Sequence, residues 1–96
     1  MDREVLNIIE LQKEIEELDF KGKMEFQAKE SERRFITGLV KIRKNAGITQ
    51  AELANSTGLT QQVISSIEKM DRKPTLTNLI RYLLGLGIDI NDLISI

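Results

Sequence analysis

Within Thr60-Gln61-Gln62-Val63-Ile64-Ser65-Ser66-Ile67-Glu68, four neutral hydrogen-bonding side chains face one side of a short amphipathic segment: Gln61, Gln62, Ser65 and Ser66. A glutamine amide can donate to and accept from a single adenine edge, and a serine hydroxyl can bond several base edges or a phosphate. A helix laid in the major groove reads bases with its N-terminal residues, where Gln61 and Gln62 fall. Lys69, Arg72 and Lys73 follow at once and suit backbone phosphates. Paired glutamines can also be plain solvent-facing residues. Their place between Gly58 and a basic turn favours contact with nucleic acid.

Other chemistries are closed to this chain. It has no histidine and no cysteine, which removes imidazole bases, Ser-His triads, thiolates, disulfides and His- or Cys-ligated metals. No paired carboxylates and no lysine fall in a predicted cleft, so the expectation is a protein that is not an enzyme, with no cofactor and no metal. Tryptophan is absent and aromatics are 4%, which disfavours a base-stacking RNA platform. No apolar run approaches the roughly 18 residues of a membrane span, and Met1 is followed by Asp2, Arg3 and Glu4 rather than a secretory signal. A cytoplasmic protein with no membrane partner is expected.

The elements that must hold these side chains are helices. Thr49-Gln50-Ala51-Glu52 has the form of a capping box, in which the threonine hydroxyl accepts from the backbone of Glu52. The amides at the start of that helix suit a phosphate. Leu53 and Ala54 lie on its buried side, and Gly58 suits a tight turn. Thr60 is the expected cap of the next helix, with Ile64 and Ile67 inward beside Leu59. Upstream, Phe35, Leu39, Ile42 and Ala46, with Ile36 and Val40, predict a helix over about 29–46, closed by Gly47. Downstream, Pro74 precedes a helix at about 75–85. Gly85 and Gly87 loosen its end, and Asp89 with Asp92 can cap a last turn. At the front, Val5, Ile8, Leu11, Ile15 and Leu18 make one helical stripe, with Leu6 and Ile9 on an adjoining face, predicting a helix at about 3–20 that Gly22 stops. Residues 21–30 read as a connector.

With 96 residues, the chain has room for one small domain and an arm. Its net charge of −1 hides an asymmetry. Residues 1–20 carry seven acids and two bases, whereas residues 21–81 carry twelve bases and six acids. An acidic arm before a basic body points to a charged partner, although both can be ordinary solvated faces.

The stretch Thr49-Gln50-Ala51-Glu52-Leu53-Ala54, Gly58, Thr60-Gln61-Gln62, Ile64, Ile67 and Glu68 resembles the helix-turn-helix of the lambdoid phage repressor and Cro family, also called the Xre family. The resemblance covers about residues 36–94. It implies an all-α, five-helix, lambda-repressor-like domain over 29–96, with the helix-turn-helix core at 49–68 and an N-terminal amphipathic arm with connector over 1–28. It implies base contacts from Gln61, Gln62, Ser65 and Ser66, and phosphate contacts from Gln50, Thr60, Lys69, Arg72 and Lys73. Arg43 and Glu68 match a family pair that forms an internal ion pair, which sets both apart from base reading. Val63 and Ser65-Ser66 replace bulkier polar side chains, so the operator sequence does not carry over; Val63 suits a thymine methyl.

A short Xre domain with an acidic helical arm is similar to HigA-type antitoxins. This resemblance implies an antitoxin that neutralises a small basic RNase toxin of the HigB/RelE type and represses its own operon. The arm would dock the toxin through Leu6, Ile9, Glu10, Lys13, Glu16 and Glu17. Equally, the arm can cover the core of its own domain, and the chain can be a free-standing phage-type repressor without a toxin. The apolar tail of Ile88, Ile90, Leu93, Ile94 and Ile96 suits packing on the core or on another subunit, and the expectation is a homodimer through the C-terminal region on a palindromic double-stranded operator, with recognition helices about 34 Å apart.

Overall fold

The computed structural model describes residues 2–94. Four α-helices and a 3-10 turn follow one another: α1 (Arg3–Asn45), α2 (Gln50–Thr57), α3 (Gln61–Lys69), α4 (Leu76–Gly85) and the turn Ile90–Leu93. No strand occurs among the described residues. By Cα packing the chain divides into two units, Met1–Glu32 and Arg33–Ile96.

Residues 21–30 differ from the expectation. They are helical throughout, so the expected break at Gly22 and the expected connector do not exist. A glycine inside a helix costs only about 1 kcal/mol against alanine. Its neighbours Lys23, Met24, Glu25, Gln27, Ala28 and Lys29 are good helix formers, and Glu25 pairs with Lys29 one turn on at 3.2 Å. The arm helix and the first body helix are therefore one element. The last helix of the expected five is a single 3-10 turn, started by Asp89, whose carboxylate accepts from the Asn91 amide at 2.9 Å.

In the unit from Arg33, the core is Ile36, Leu39, Leu53, Ala54, Leu59, Ile64, Ile67, Tyr82 and Leu83. Val40, Ile48, Val63, Leu79, Leu86, Ile88 and Ile90 pack around it. The inward face of α1 is rotated from the expected stripe: Ile36, Leu39 and Arg43 are buried, while Phe35, Ile42 and Ala46 are exposed. Arg43 takes the third place of the inward stripe, where its guanidinium meets the Glu68 carboxylate.

Turns are set by caps and glycines. Thr49, Thr60 and Thr75 each accept from the backbone amide three residues on, at 3.1 Å. Gly47 (φ 72) ends α1 and Gly58 (φ 73) ends α2, both in the left-handed region that favours glycine. Gly85 acts differently from expectation. It does not loosen α4; it lets α4 lie against α2. A Cβ there would stand 2.5 Å from Thr57 Cγ2 and 2.6 Å from Leu53 Cδ1. Ile88 and Ile90 of the tail are half-buried, Leu93 and Ile94 are exposed, and Ile96 lies outside the described residues.

Candidate nucleic-acid interface

Helix α3 is presented by the chain that precedes it. The Thr57 hydroxyl donates to the Leu53 carbonyl at 2.7 Å and accepts from the Leu59 amide at 3.3 Å, tying the end of α2 to the turn. Leu59 is anchored in the core, and the Thr60 hydroxyl takes the Val63 amide. Ile64 and Ile67 then point inward, which leaves Gln61 and Gln62 exposed at the N-terminal end of the helix. α3 stops at Met70 in the left-handed conformation (φ 57), the only non-glycine residue with positive φ among those described. The chain turns there, and Asp71, Arg72 and Lys73 follow α3 along one concave surface.

That surface is lined by Gln50 of α2; Gln61, Gln62, Val63, Ser65, Ser66, Ile67 and Lys69 of α3; Asp71 to Pro74 of the turn; and Thr75 and Asn78 at the start of α4. All the side chains expected to touch bases or phosphates lie in it except Thr60, whose hydroxyl is used as a cap. Two others carry bonds that the residue pattern did not reveal. Ser66 donates to Asp71 Oδ1 at 2.6 Å, which leaves its oxygen only as an acceptor toward the surface. Gln50 donates its Nε2 to Glu68 Oε1 at 3.0 Å.

Asp71, Thr75 and Asn78 were not expected at this surface. Thr75 was detectable by the signal used at Thr49 and Thr60, a threonine directly before a helix, here after Pro74. Nothing local marks Asp71 or Asn78.

Beneath the surface sits one buried ionic network. Arg43 Nε donates to Glu68 Oε2 at 2.6 Å and Nη2 to Oε1 at 2.8 Å, a bidentate fork. The third arginine nitrogen, Nη1, donates to the Ile48 carbonyl at 2.8 Å. The Tyr82 hydroxyl donates to Glu68 Oε2 at 2.7 Å. Burial works to raise the Glu68 carboxyl, but the hydrogen bonds from Arg43, Gln50 and Tyr82 outweigh it and hold the group below the usual carboxylate range. Burial pushes the Tyr82 phenol above its ordinary value, and its bond to Glu68 adds to that. The bond to Glu68 raises Arg43 against the opposing effect of burial. An ionised Glu68 can only accept, so the Gln50 amide must turn its nitrogen inward. No buried side-chain polar atom among the described residues lacks a partner.

In the first unit, Leu6, Glu10, Lys13, Glu16 and Glu17 are exposed and Ile9 is half-buried on α1. Among the described residues no group of three or more metal-ligating side chains comes together, and no helix is long and apolar enough to cross a membrane.

Residues 39–93 match the helix-turn-helix family model. Antitoxin HigA1 of Mycobacterium tuberculosis, in two strains, is 38% identical over 63 residues, covering 66% of this chain and 41% of that one. The chain thus spans about two fifths of the length of these relatives. An uncharacterized HTH-type transcriptional regulator, y4dJ, of Sinorhizobium fredii is 30% identical over 59 residues, 62% of this chain and 77% of that one. No solved structure gives a significant match.

Proposed function

The chain belongs to the Xre-type helix-turn-helix family of DNA-binding proteins, which are not enzymes, and from that premise we propose that it is a cytoplasmic antitoxin that represses its own operon. The carrying observation is the exposure of Gln61 and Gln62 at the front of α3, on one surface with Lys69, Arg72 and Lys73. In this reading the unit is lambda-repressor-like, with the 3-10 turn as its fifth element. Gln61, Gln62 and Ser65 read bases in the major groove, with Ser66 as an acceptor only. Lys69, Arg72 and Lys73 hold phosphates, together with the helix-start backbone amides at Gln50 and Thr60, the Gln50 side chain being given to Glu68. A homodimer through the C-terminal region, where Leu93 and Ile94 are exposed, matches a palindromic operator.

The test is operator binding by the full chain across a salt series. The log–log slope is expected near −0.9 per neutralised phosphate. Gln61→Ala is expected to cost about 1–3 kcal/mol on the preferred site and to relax specificity there, whereas Lys73→Ala weakens all sequences alike. Equal loss on random DNA for Gln61→Ala removes its base-reading role.

The toxin partner rests on the similarity to HigA1 antitoxins and on the acidic residues 1–20. Residues 1–28 are the docking segment, and Leu6, Ile9, Glu10, Lys13, Glu16 and Glu17 face a small basic RNase. Ile9→Asp is expected to release a small basic protein that the unaltered chain retains from its host. The likeness to a transcriptional regulator favours the second reading, a free-standing repressor. Retention of operator DNA with no protein partner by both forms selects it.

A further inference from the structure

The face of α1 opposite Leu6, Ile9 and Lys13 carries a second stripe that the proposed function does not use. Ile8, Leu11, Ile15 and Leu18 recur at steps of three, four and three, the spacing of a coiled-coil seam. They are 57%, 56%, 51% and 67% exposed. Isoleucine alternates with leucine along this seam. One turn beyond Leu18 the seam meets Gly22, where an added Cβ would touch nothing within 4 Å. Leu18, Asp19, Gly22, Lys23, Phe26 and Gln27 line a shallow depression there.

We propose that this stripe pairs with the same stripe of a second copy, the two helices running antiparallel. With Ile15 of one copy opposite Leu18 of the other as the central layers, helix geometry sets Ile8 against the second copy's Glu25, whose carboxylate pairs with Lys29, and gives three complementary contacts besides. Leu11 of each copy falls on the second copy's Gly22, so a large side chain meets the depression. Val5 falls beside Phe26. Glu14, which flanks the seam, falls beside Lys21 of the second copy, and by symmetry this pair occurs twice. A parallel arrangement instead places Glu14 against the second copy's Asp19 on both sides. Charges flanking a seam set orientation in this way. The depression and the charges thus select the same register. This pairing is independent of the DNA and toxin readings, and of any pairing through the C-terminal tail.

The test is sedimentation equilibrium of the full chain with Glu14→Lys, with Lys21→Glu and with both together. Each single charge reversal is expected to weaken the arm-dependent association roughly tenfold, and the double exchange to restore it. Helicity is followed by circular dichroism so that loss of α1 is not mistaken for loss of pairing. Tighter association of Glu14→Lys alone selects the parallel arrangement and overturns the proposal. So does an association that neither single variant alters, or a chain with no self-association at its highest soluble concentration. Because the chain has no cysteine, Asn7→Cys gives a unique spin-label site. Antiparallel arms separate the two labels by roughly 30 Å along the axis. A separation near the interhelix spacing of about 10 Å overturns the proposal.

Discussion

In the unit up to Glu32, Ile8, Leu11, Ile15 and Leu18 are each more than half exposed, whereas in the unit from Arg33, Leu53, Ile64 and Tyr82 have no solvent contact. Both regions are helical and both have amphipathic patterns. The difference is a second layer. Helices α2, α3 and α4 close over the last turns of α1 and give its inward residues somewhere to go. A single helix has no such layer, and its apolar stripe stays exposed. Periodicity therefore tells which residues can be buried, and only the number of nearby elements tells whether they are.

That contrast can be broken most forcefully at the ionic network. Arg43→Met leaves Glu68 buried without its main partner and is expected to cost about 3–5 kcal/mol of stability in urea unfolding. A loss under about 1 kcal/mol would show that water reaches the site and screens the carboxylate. The same network sets the pH response. Glu68 lies below its unfolded value, so its contribution is present above the ordinary carboxylate value of about 4.3 and is lost as pH falls below it. Tyr82 lies above its unfolded value, so its contribution holds below about pH 10 and is lost as pH rises further. A stability profile flat from neutrality down through pH 3 contradicts the first assignment.

Gly85→Ala is next in size. Helix propensity alone predicts a gain of about 1 kcal/mol. The 2.5 and 2.6 Å approaches to Thr57 and Leu53 predict a net loss, since overpacking costs about 1–3 kcal/mol. A rise in melting temperature means that α4 can move off α2. Thr60→Ala removes one cap and is expected to cost about 1 kcal/mol, read from the same denaturation curve. Smallest of all, Leu18→Ser in the exposed stripe is expected to change the stability of the second unit by less than about 0.5 kcal/mol at dilute concentration. A larger loss would mean that the stripe is covered within one chain after all.

Much of the second unit was legible in the residues because its signals are local. Threonines at helix starts, Gly47 and Gly58 at helix ends, and Ile64 with Ile67 inward all act within one turn of chain. So does the outward placement of Gln61 and Gln62. What was not legible is long-range. On the inward stripe of α1, Arg43 meets a carboxylate 25 residues away. Gln50 looked free for a phosphate because its acceptor lies on another helix. Gly22 and Gly85 show the same limit in opposite senses. Gly22, read as a stop, sits in an unbroken helix with open space beside it. Gly85, read as a loosening, leaves no room for a Cβ between α4 and the Leu53 and Thr57 side chains of α2.

The convergence on Glu68 has a further consequence, for the order of assembly. Its donors come from α1, α2 and α4, at separations of 25, 18 and 14 residues. Any partly docked state that buries α3 before these helices arrive holds a bare carboxylate among apolar side chains, which is costly. Half-built forms are thereby penalised beyond their missing apolar contacts. The unit from Arg33 should accordingly fold and unfold in one step, with fluorescence of its single tyrosine, Tyr82, and helical signal lost together.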